Sequence, residues 1–252
     1  MSVLSEKVGC LRSWGRINET HNYLVIVDNM MNLELMFAAN GFHANHTLVE
    51  MAISHANRTA KEHIRADGSS FHVVDFNQTT GHVHRKYTAQ GYSDDSCWSR
   101  GQAWLVTGFT SIYGHTRMAH FLATAEHVAS YFISHLPHDG IPPWDFRAPH
   151  VAQHQYVPRD VSAGAIASVG LFELYGHTHN KTYLNAAHTI VRSLGSPTYM
   201  VSGHPQYHLP ALLANSTISK AATHPELADH SLIYADYYYL KALGYLHQYP
   251  IN

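Results

Sequence analysis

The chain has 252 residues and a formal net charge of −2 at pH 7, with 45% hydrophobic, 12% aromatic and only 13% charged residues. That length suits one large domain or two small ones, and apolar content of that order is ample for a buried core, while the near-neutral charge removes the basic field that nucleic-acid binding needs. No run of eighteen apolar residues is present to span a membrane, and the N-terminal MSVLSEKVGCLRSW lacks the apolar centre of a secretory leader.

In chain order, apolar residues at spacings of three and four predict helices over 28–40, 44–64, 98–113, 117–136, 161–176, 181–194 and 229–247. Gly41, Gly114 and Gly176 stand where helix C-caps are expected. Between the second and third helices, SSFHVVDFNQTTGHVHRK (69–86) has two short β-like runs around NQTTG and reads as a β-hairpin. The Pro-rich stretches 137–149 and 196–210 read as loops.

The helices repeat. YGHTRMAHFLATA at 113–125 aligns with YGHTHNKTYLNAA at 175–187, and a looser copy lies at 33–52. Each unit is helix, tight turn, helix, and such hairpins stack to bury a shared core in either an open solenoid or a closed α/α toroid. The sparse charge and the long aromatic loops between hairpins favour the toroid, with its loops over a central cleft.

Three residue types carry separate signals. Six N-x-S/T sequons, at Asn18, Asn45, Asn57, Asn77, Asn180 and Asn215, use half of the twelve Asn, where Ser/Thr frequency alone gives roughly two. They are candidate glycosylation sites and point to secretory-pathway ancestry. The 23 His are scattered; HVH at 82–84 and the pair His204/His208 come nearest to ligand spacing and lack a third ligand, so no metal is expected. Cys10 and Cys97 permit one disulfide without demonstrating it.

DDSCWSRGQAW at 94–104 concentrates two Trp, an Arg and two Asp at a helix start. Asp94, Asp95 or Ser96 can cap a helix beginning near Cys97, which puts Arg100 and Trp104 on one face and Trp98 and Gln102 on the next. Indole faces stack on sugar rings, and a guanidinium fork binds a carboxylate bidentately. A core Trp pair with an internally paired Arg is the plainer alternative.

WSRGQAW, with QGYSDDS upstream, resembles the WARGQAW signature of glycoside hydrolase family 88, the unsaturated glucuronyl hydrolases. VDNMMNLELMF (27–37) resembles the family's VD-x-MMNL helix. WDFRAP (144–149) and RDVSAGAIASVGLFEL (159–174) resemble its WDF and RD-x-SA-AI segments. SLIYADYYYLKAL (231–243) resembles its SLIYGDYY helix, with Ala235 for Gly and Lys241 for Glu. The likeness runs over almost the whole chain in the family's order. It implies a mainly α (α/α)6 barrel with a small β-hairpin, formed by residues 1–252 as a single domain and needing no cofactor. It implies an activity that removes Δ4,5-unsaturated uronic acid from the non-reducing end of lyase-generated oligosaccharides by hydrating the C4=C5 enol ether, with no nucleophile pair at the usual glycosidase spacing. By the same resemblance Asp28 is the general acid and base, His72 and Gln90 contact the sugar and the reacting water, Trp98 and Trp104 stack, Arg100 binds substrate, and Trp14 and Trp144 are further binding residues. Asp28, just before an apolar helix, also suits a plain N-cap; Trp144 and Asp145 also suit loop packing, and Asp160 is read as an N-cap.

One departure stands out. The family's second active-site Asp, in an HD-x-GF motif upstream of the VD-x-MMNL helix, has no counterpart here. Seven clear helices also fall short of twelve, so the barrel is expected to be incomplete at the N-terminus, with apolar faces bared on its first and last units. Without a partner carboxylate, and at a helix N-terminus, the Asp28 pKa is expected to sit low. Two other readings follow: a non-catalytic carbohydrate-binding remnant, and an α/α-toroid polysaccharide lyase, for which no Tyr/His pair over a basic groove is visible. The partner expected is an unsaturated uronyl oligosaccharide, with no nucleic acid and no membrane.

Overall fold

The structure, a computed structural model, describes residues 4–15, 22–43, 46–149, 157–203 and 210–251. Five short strands, β1 (Leu4–Ser5), β2 (Cys10–Leu11), β3 (Tyr23–Ile26), β4 (Val73–Phe76) and β5 (Val83–Tyr87), accompany seven α-helices among these residues. The helices are α1 (Asn29–His43), α2 (His46–His63), α3 (Ser99–Thr116), α4 (Ala119–Ser134), α5 (Val161–Thr178), α6 (Lys181–Leu194) and α7 (Ile233–Tyr245). All seven predicted helices form. Helix α1 packs on α3, α3 on α5 and α5 on α7, making an inner row, while α2, α4 and α6 each fold back on their hairpin partner. The core follows from this: α3 and α5 are buried along most of their length, whereas α6 is amphipathic and buries only its inner stripe.

The repeat is exact in the backbone. Helices α3 and α5 run past the glycines expected as C-caps and close on Arg117 and His179, both left-handed at φ 56° and ψ 18°, each donating its N–H to the tyrosine carbonyl at the start of the YGHT motif. Gly41, Gly114 and Gly176 therefore lie inside their helices. The turn is made by the residue after YGHT, at a steric cost that Gly would have avoided. Two other glycines at the same offset explain the tight inner row: a Cβ on Gly108 would meet Met30 of α1 at 2.6 Å, and one on Gly170 would meet the Thr107 backbone of α3 at 2.7 Å.

The hairpin around NQTTG forms as β4 and β5, with the Asn77 carboxamide accepting from Thr79 and Thr80 N–H in the turn. Strand β3, which periodicity does not reveal, pairs antiparallel with β4 to complete a three-stranded sheet ordered β3-β4-β5. Stretch 137–149 is a loop as read. Cys10 and Cys97 are both free and buried, in separate parts of the core.

Exposed apolar residues concentrate at the ends of the inner row: Leu35 on α1, and Ile233, Tyr237 and Leu240 on one face of α7. Of the sequon asparagines, Asn57, Asn77 and Asn180 are exposed, and Asn215 is half-buried with φ +64°. Asn18 and Asn45 lie outside the described residues. No helix is long and apolar enough to cross a membrane among the residues described.

Candidate functional site

Asp28 and His72 are 44 positions apart, and strand pairing brings them together. The β3–β4 register sets Ile26 opposite Val73, and the next rung, the Val27 N–H to the His72 carbonyl at 3.1 Å, carries Asp28 to the side of His72. The segment before β3 adds to this edge: Ser13 N–H donates to the Leu24 carbonyl, the Ser13 hydroxyl accepts from Ile26 N–H, and Trp14 meets the His72 ring edge-on at 5.9 Å. Trp14 is 36% exposed and is the open wall of the site.

Helix α3 brings the rest by its N-terminus. Its N-cap is Trp98, with no side-chain cap bond, so Asp94, Asp95 and Ser96 do not cap it as expected. Asp145 organises that turn instead, accepting from Tyr92 N–H, the Ser96 hydroxyl, Cys97 N–H and Arg147 N–H. The Trp98 ring lies 4.5 Å from His72, and the Arg100 guanidinium lies 4.5 Å over the Trp98 ring. One helical turn on, Trp104 stands near the Asp28 carboxyl and favours its charged form, an effect of a different kind from the sugar stacking expected of it. Trp144 is completely buried against Trp98, Ala148 and Ala221, so it supports Trp98 from behind and has no open face for a sugar.

Arg100 also departs from expectation. Its Nη1 donates to Asp160 Oδ2 at 2.6 Å and to the Thr217 carbonyl at 2.7 Å, with the Ser162 hydroxyl at 3.3 Å, and its Nη2 donates to the Ile218 carbonyl at 2.7 Å. The fork is largely filled from within the protein, and both members of the ion pair are buried. Asp160 is the N-cap of α5, as read, accepting from Ser162 and Ala163 N–H with its other oxygen. One carboxylate thus caps α5 and anchors Arg100. The Gln90 side chain donates to the same Ile218 carbonyl at 3.2 Å, and the Gln90 carbonyl accepts from Lys220 N–H. The strap 212–220 that supplies these carbonyls is held to α7 by the Asp236 carboxylate, which accepts from Leu212 and Leu213 N–H.

The electrostatics separate the two central groups. Burial pushes the Asp28 carboxyl up to about 6, with Arg100, the Asp28 N–H and the Trp104 indole opposing. The expectation of a low pKa is corrected: desolvation outweighs the helix N-terminus, and no second carboxylate is needed to lift it. Burial pushes His72 down to about 3, with His63 and Arg100 adding to the shift, so its ring is neutral. Asp28 Oδ2 and His72 Nε2 stand 3.8 Å apart, and neither has a hydrogen-bond partner; nor has the indole N–H of Trp98. Three unpaired polar atoms in one recess can take a ligand's hydroxyl or a water.

Tyr234 completes the site and was not singled out from the sequence. The Arg100 guanidinium lies 5.5 Å over its ring, and burial raises its phenol. It falls within SLIYADYY, so the motif pointed to its neighbourhood; the carbonyls of Thr217 and Ile218 leave no side-chain signal at all. Ala235 is fully buried, and Lys241 pairs with Glu173 at 3.5 Å. Among the described residues no three His, Cys, Asp or Glu side chains gather as a metal site; His204 and His208 lie outside them. A separate cavity of about 390 Å³ sits at the opposite, C-terminal ends of α3 and α5, away from Asp28.

No family model matches the chain. It is 39% identical over 241 residues to an unsaturated glucuronyl hydrolase of Formosa agariphila, covering 95% of this chain and 58% of that protein. It is 32% identical over 253 residues to an unsaturated chondroitin disaccharide hydrolase of Streptococcus pneumoniae, covering 94% and 59%. The crystal structure of an unsaturated glucuronyl hydrolase specific for heparin superposes with a TM-score of 0.88 at 34% identity, over 98% of this chain and 65% of that one. Over nearly its whole length the chain is similar to unsaturated glucuronyl hydrolases. It spans 58% and 59% of the length of the two curated relatives. The mainly helical fold with its small sheet matches the α/α-barrel structures of this family, including that from Bacillus sp. GL1, at a TM-score of 0.84 and 29% identity.

Proposed function

We propose that this chain forms the part of an unsaturated uronyl hydrolase that carries its proton donor, in a single α/α-barrel domain. The reading rests on one observation: a carboxyl raised to about 6 faces a neutral imidazole across 3.8 Å, both atoms unpaired, beside two indoles. A carboxyl at that pKa is part protonated near neutrality and can give its proton to C4 of a C4=C5 enol ether. Water then adds at C5, losing its proton to the Asp28 carboxylate, and the hemiketal opens to release the next sugar. His72 positions the water or a ring hydroxyl as a neutral donor, Trp98 and Trp14 wall the sugar, and Trp104 holds Asp28. Arg100, with most of its fork filled, acts by its charge and by its remaining N–H groups. Gln90 steadies the strap.

The substrate class follows from relatives. Solved relatives include an unsaturated glucuronyl hydrolase with a ΔGlcA-Glc-Rha-Glc oligosaccharide and one complexed with ΔGlcA-GalNAc6S. The sequons support a secretory route by ancestry. The test is loss of ultraviolet absorbance when purified chain meets an unsaturated glucuronyl disaccharide. Decay that Asp28→Asn abolishes supports the reading. Binding without decay would replace it with the carbohydrate-binding alternative, and a rise in absorbance on intact polymer would replace it with a lyase.

A further inference from the structure

Helix α2 turns one face inward, and beside Ala52 and Ala56 that face carries a polar stripe. His55, Thr59 and His63 sit at i, i+4 and i+8, on one stripe of the helix. All three are fully buried. Each has one polar atom without a partner: His55 Nε2, Thr59 Oγ1 and His63 Nε2. Isolated orphans of this kind are rare in folded proteins, because a buried polar atom that makes no hydrogen bond costs free energy. Three in one file, one helical turn apart, call for a common partner.

The other ring nitrogens settle what that partner must offer. Leu11 N–H donates to His55 Nδ1 at 3.0 Å, so that nitrogen carries the lone pair and His55 Nε2 carries the hydrogen. His63 Nδ1 lies 3.1 Å from the Phe71 carbonyl, which can only accept, so Nδ1 carries the hydrogen and His63 Nε2 is a lone pair. Burial lowers both rings to about 3 and about 4, so each is a neutral single tautomer near neutrality. The stripe therefore presents a donor, then a hydroxyl able to do both, then an acceptor. Water is the ligand that matches all three, and it is of the size that buried polar sites accommodate.

We propose that the inner face of α2 holds a file of bound water running from His55 past Thr59 to His63, which satisfies the lone pair left on His63 Nε2 and so supports the Nδ1–H bond to Phe71 that locks the strand segment carrying His72. The lock is on the same residues. His63 and Phe71 exchange two bonds, ring N–H to carbonyl and Phe71 N–H to the His63 carbonyl, and His72 follows Phe71 directly. Ala89 N–H donates to His72 Nδ1 at 3.2 Å, so His72 Nε2 carries the hydrogen that faces Asp28. The water file stands whether or not the chain is a hydrolase; only the consequence for His72 rests on that reading.

The experiment is Thr59→Val, an isosteric change that removes the hydroxyl alone. In a hydrated file the water loses a partner, and the melting temperature falls by about 2–4 °C. In a dry file the change removes an unsatisfied buried hydroxyl, and the melting temperature holds or rises. Nitrogen-15 spectra of the unsubstituted chain read the tautomers directly, with His55 expected as Nε2–H and His63 as Nδ1–H, each ring proton of His55 showing cross-relaxation to long-lived water. A melting temperature that holds or rises, His63 found as Nε2–H, or a His55 ring proton with no water contact would each overturn the proposal. None of these readouts depends on turnover.

Discussion

Replacing Asp28 with Asn separates a catalytic carboxyl from a helix cap by the sign of its effect on stability. The carboxyl titrates near 3.8 in the unfolded chain and is pushed up to about 6 by burial in the folded one. Between those values the folded state holds more protons, so stability falls as pH rises through the window and the loss is complete above the folded value. A shift of that size corresponds to about 3 kcal/mol of differential interaction. A quarter of the side chain remains exposed, so solvent screening trims this, to about 1–3 kcal/mol. Asn keeps the shape and the capping capacity and removes the charge. At pH 7 Asp28→Asn should therefore raise the melting temperature by about 2–4 °C for each kcal/mol, and the gain should vanish below about pH 4, where the unsubstituted carboxyl is protonated in both states. Turnover of an unsaturated disaccharide should be lost in the same variant. A plain N-cap predicts otherwise, since Asn and Asp cap equally well and the helix dipole slightly favours the charge. Melting curves of both proteins from pH 3 to 8 decide it: an Asn variant no more stable than the original at pH 7 refutes the argument.

Arg100→Lys should cost about 1.5–3 kcal/mol of stability, because a point charge replaces a fork that serves Asp160 and two strap carbonyls; an unchanged urea midpoint would show those bonds to be idle. His179→Gly removes a left-handed side-chain penalty of about 1 kcal/mol and should raise the melting temperature by about 2–4 °C. The same change at Arg117 should gain less, because Arg117 also contacts His177 and the Tyr113 ring. Burial pushes the Cys10 thiol up to about 12 and Cys97 to about 11, so neither should react with an alkylating agent at pH 8 until denaturant is added, when two should count by mass. A cysteine labelled in the native protein would place it at the surface.

The helices, their hairpin pairing and the repeat were legible in the sequence, because the 3.6-residue period and the YGHT copies are local properties of the chain. So was the likeness to unsaturated glucuronyl hydrolases, through motifs that keep their order. Asp160 as a cap was legible for the same reason, its two acceptor bonds being made to the next three residues. The site's inner relations were not. That Arg100 faces Asp160 rather than open space, that Trp104 reaches the Asp28 carboxyl, and that Trp144 is sealed behind Trp98 are relations between residues about 45 to 75 positions apart. Strand β3 is only four residues long, too short for a period, and exists because β4 pairs with it. The Asp28 pKa is the sharpest case: its sequence neighbours, a helix start and no carboxylate, argue for a low value, and only the tertiary packing that strips water from the carboxyl reverses the sign.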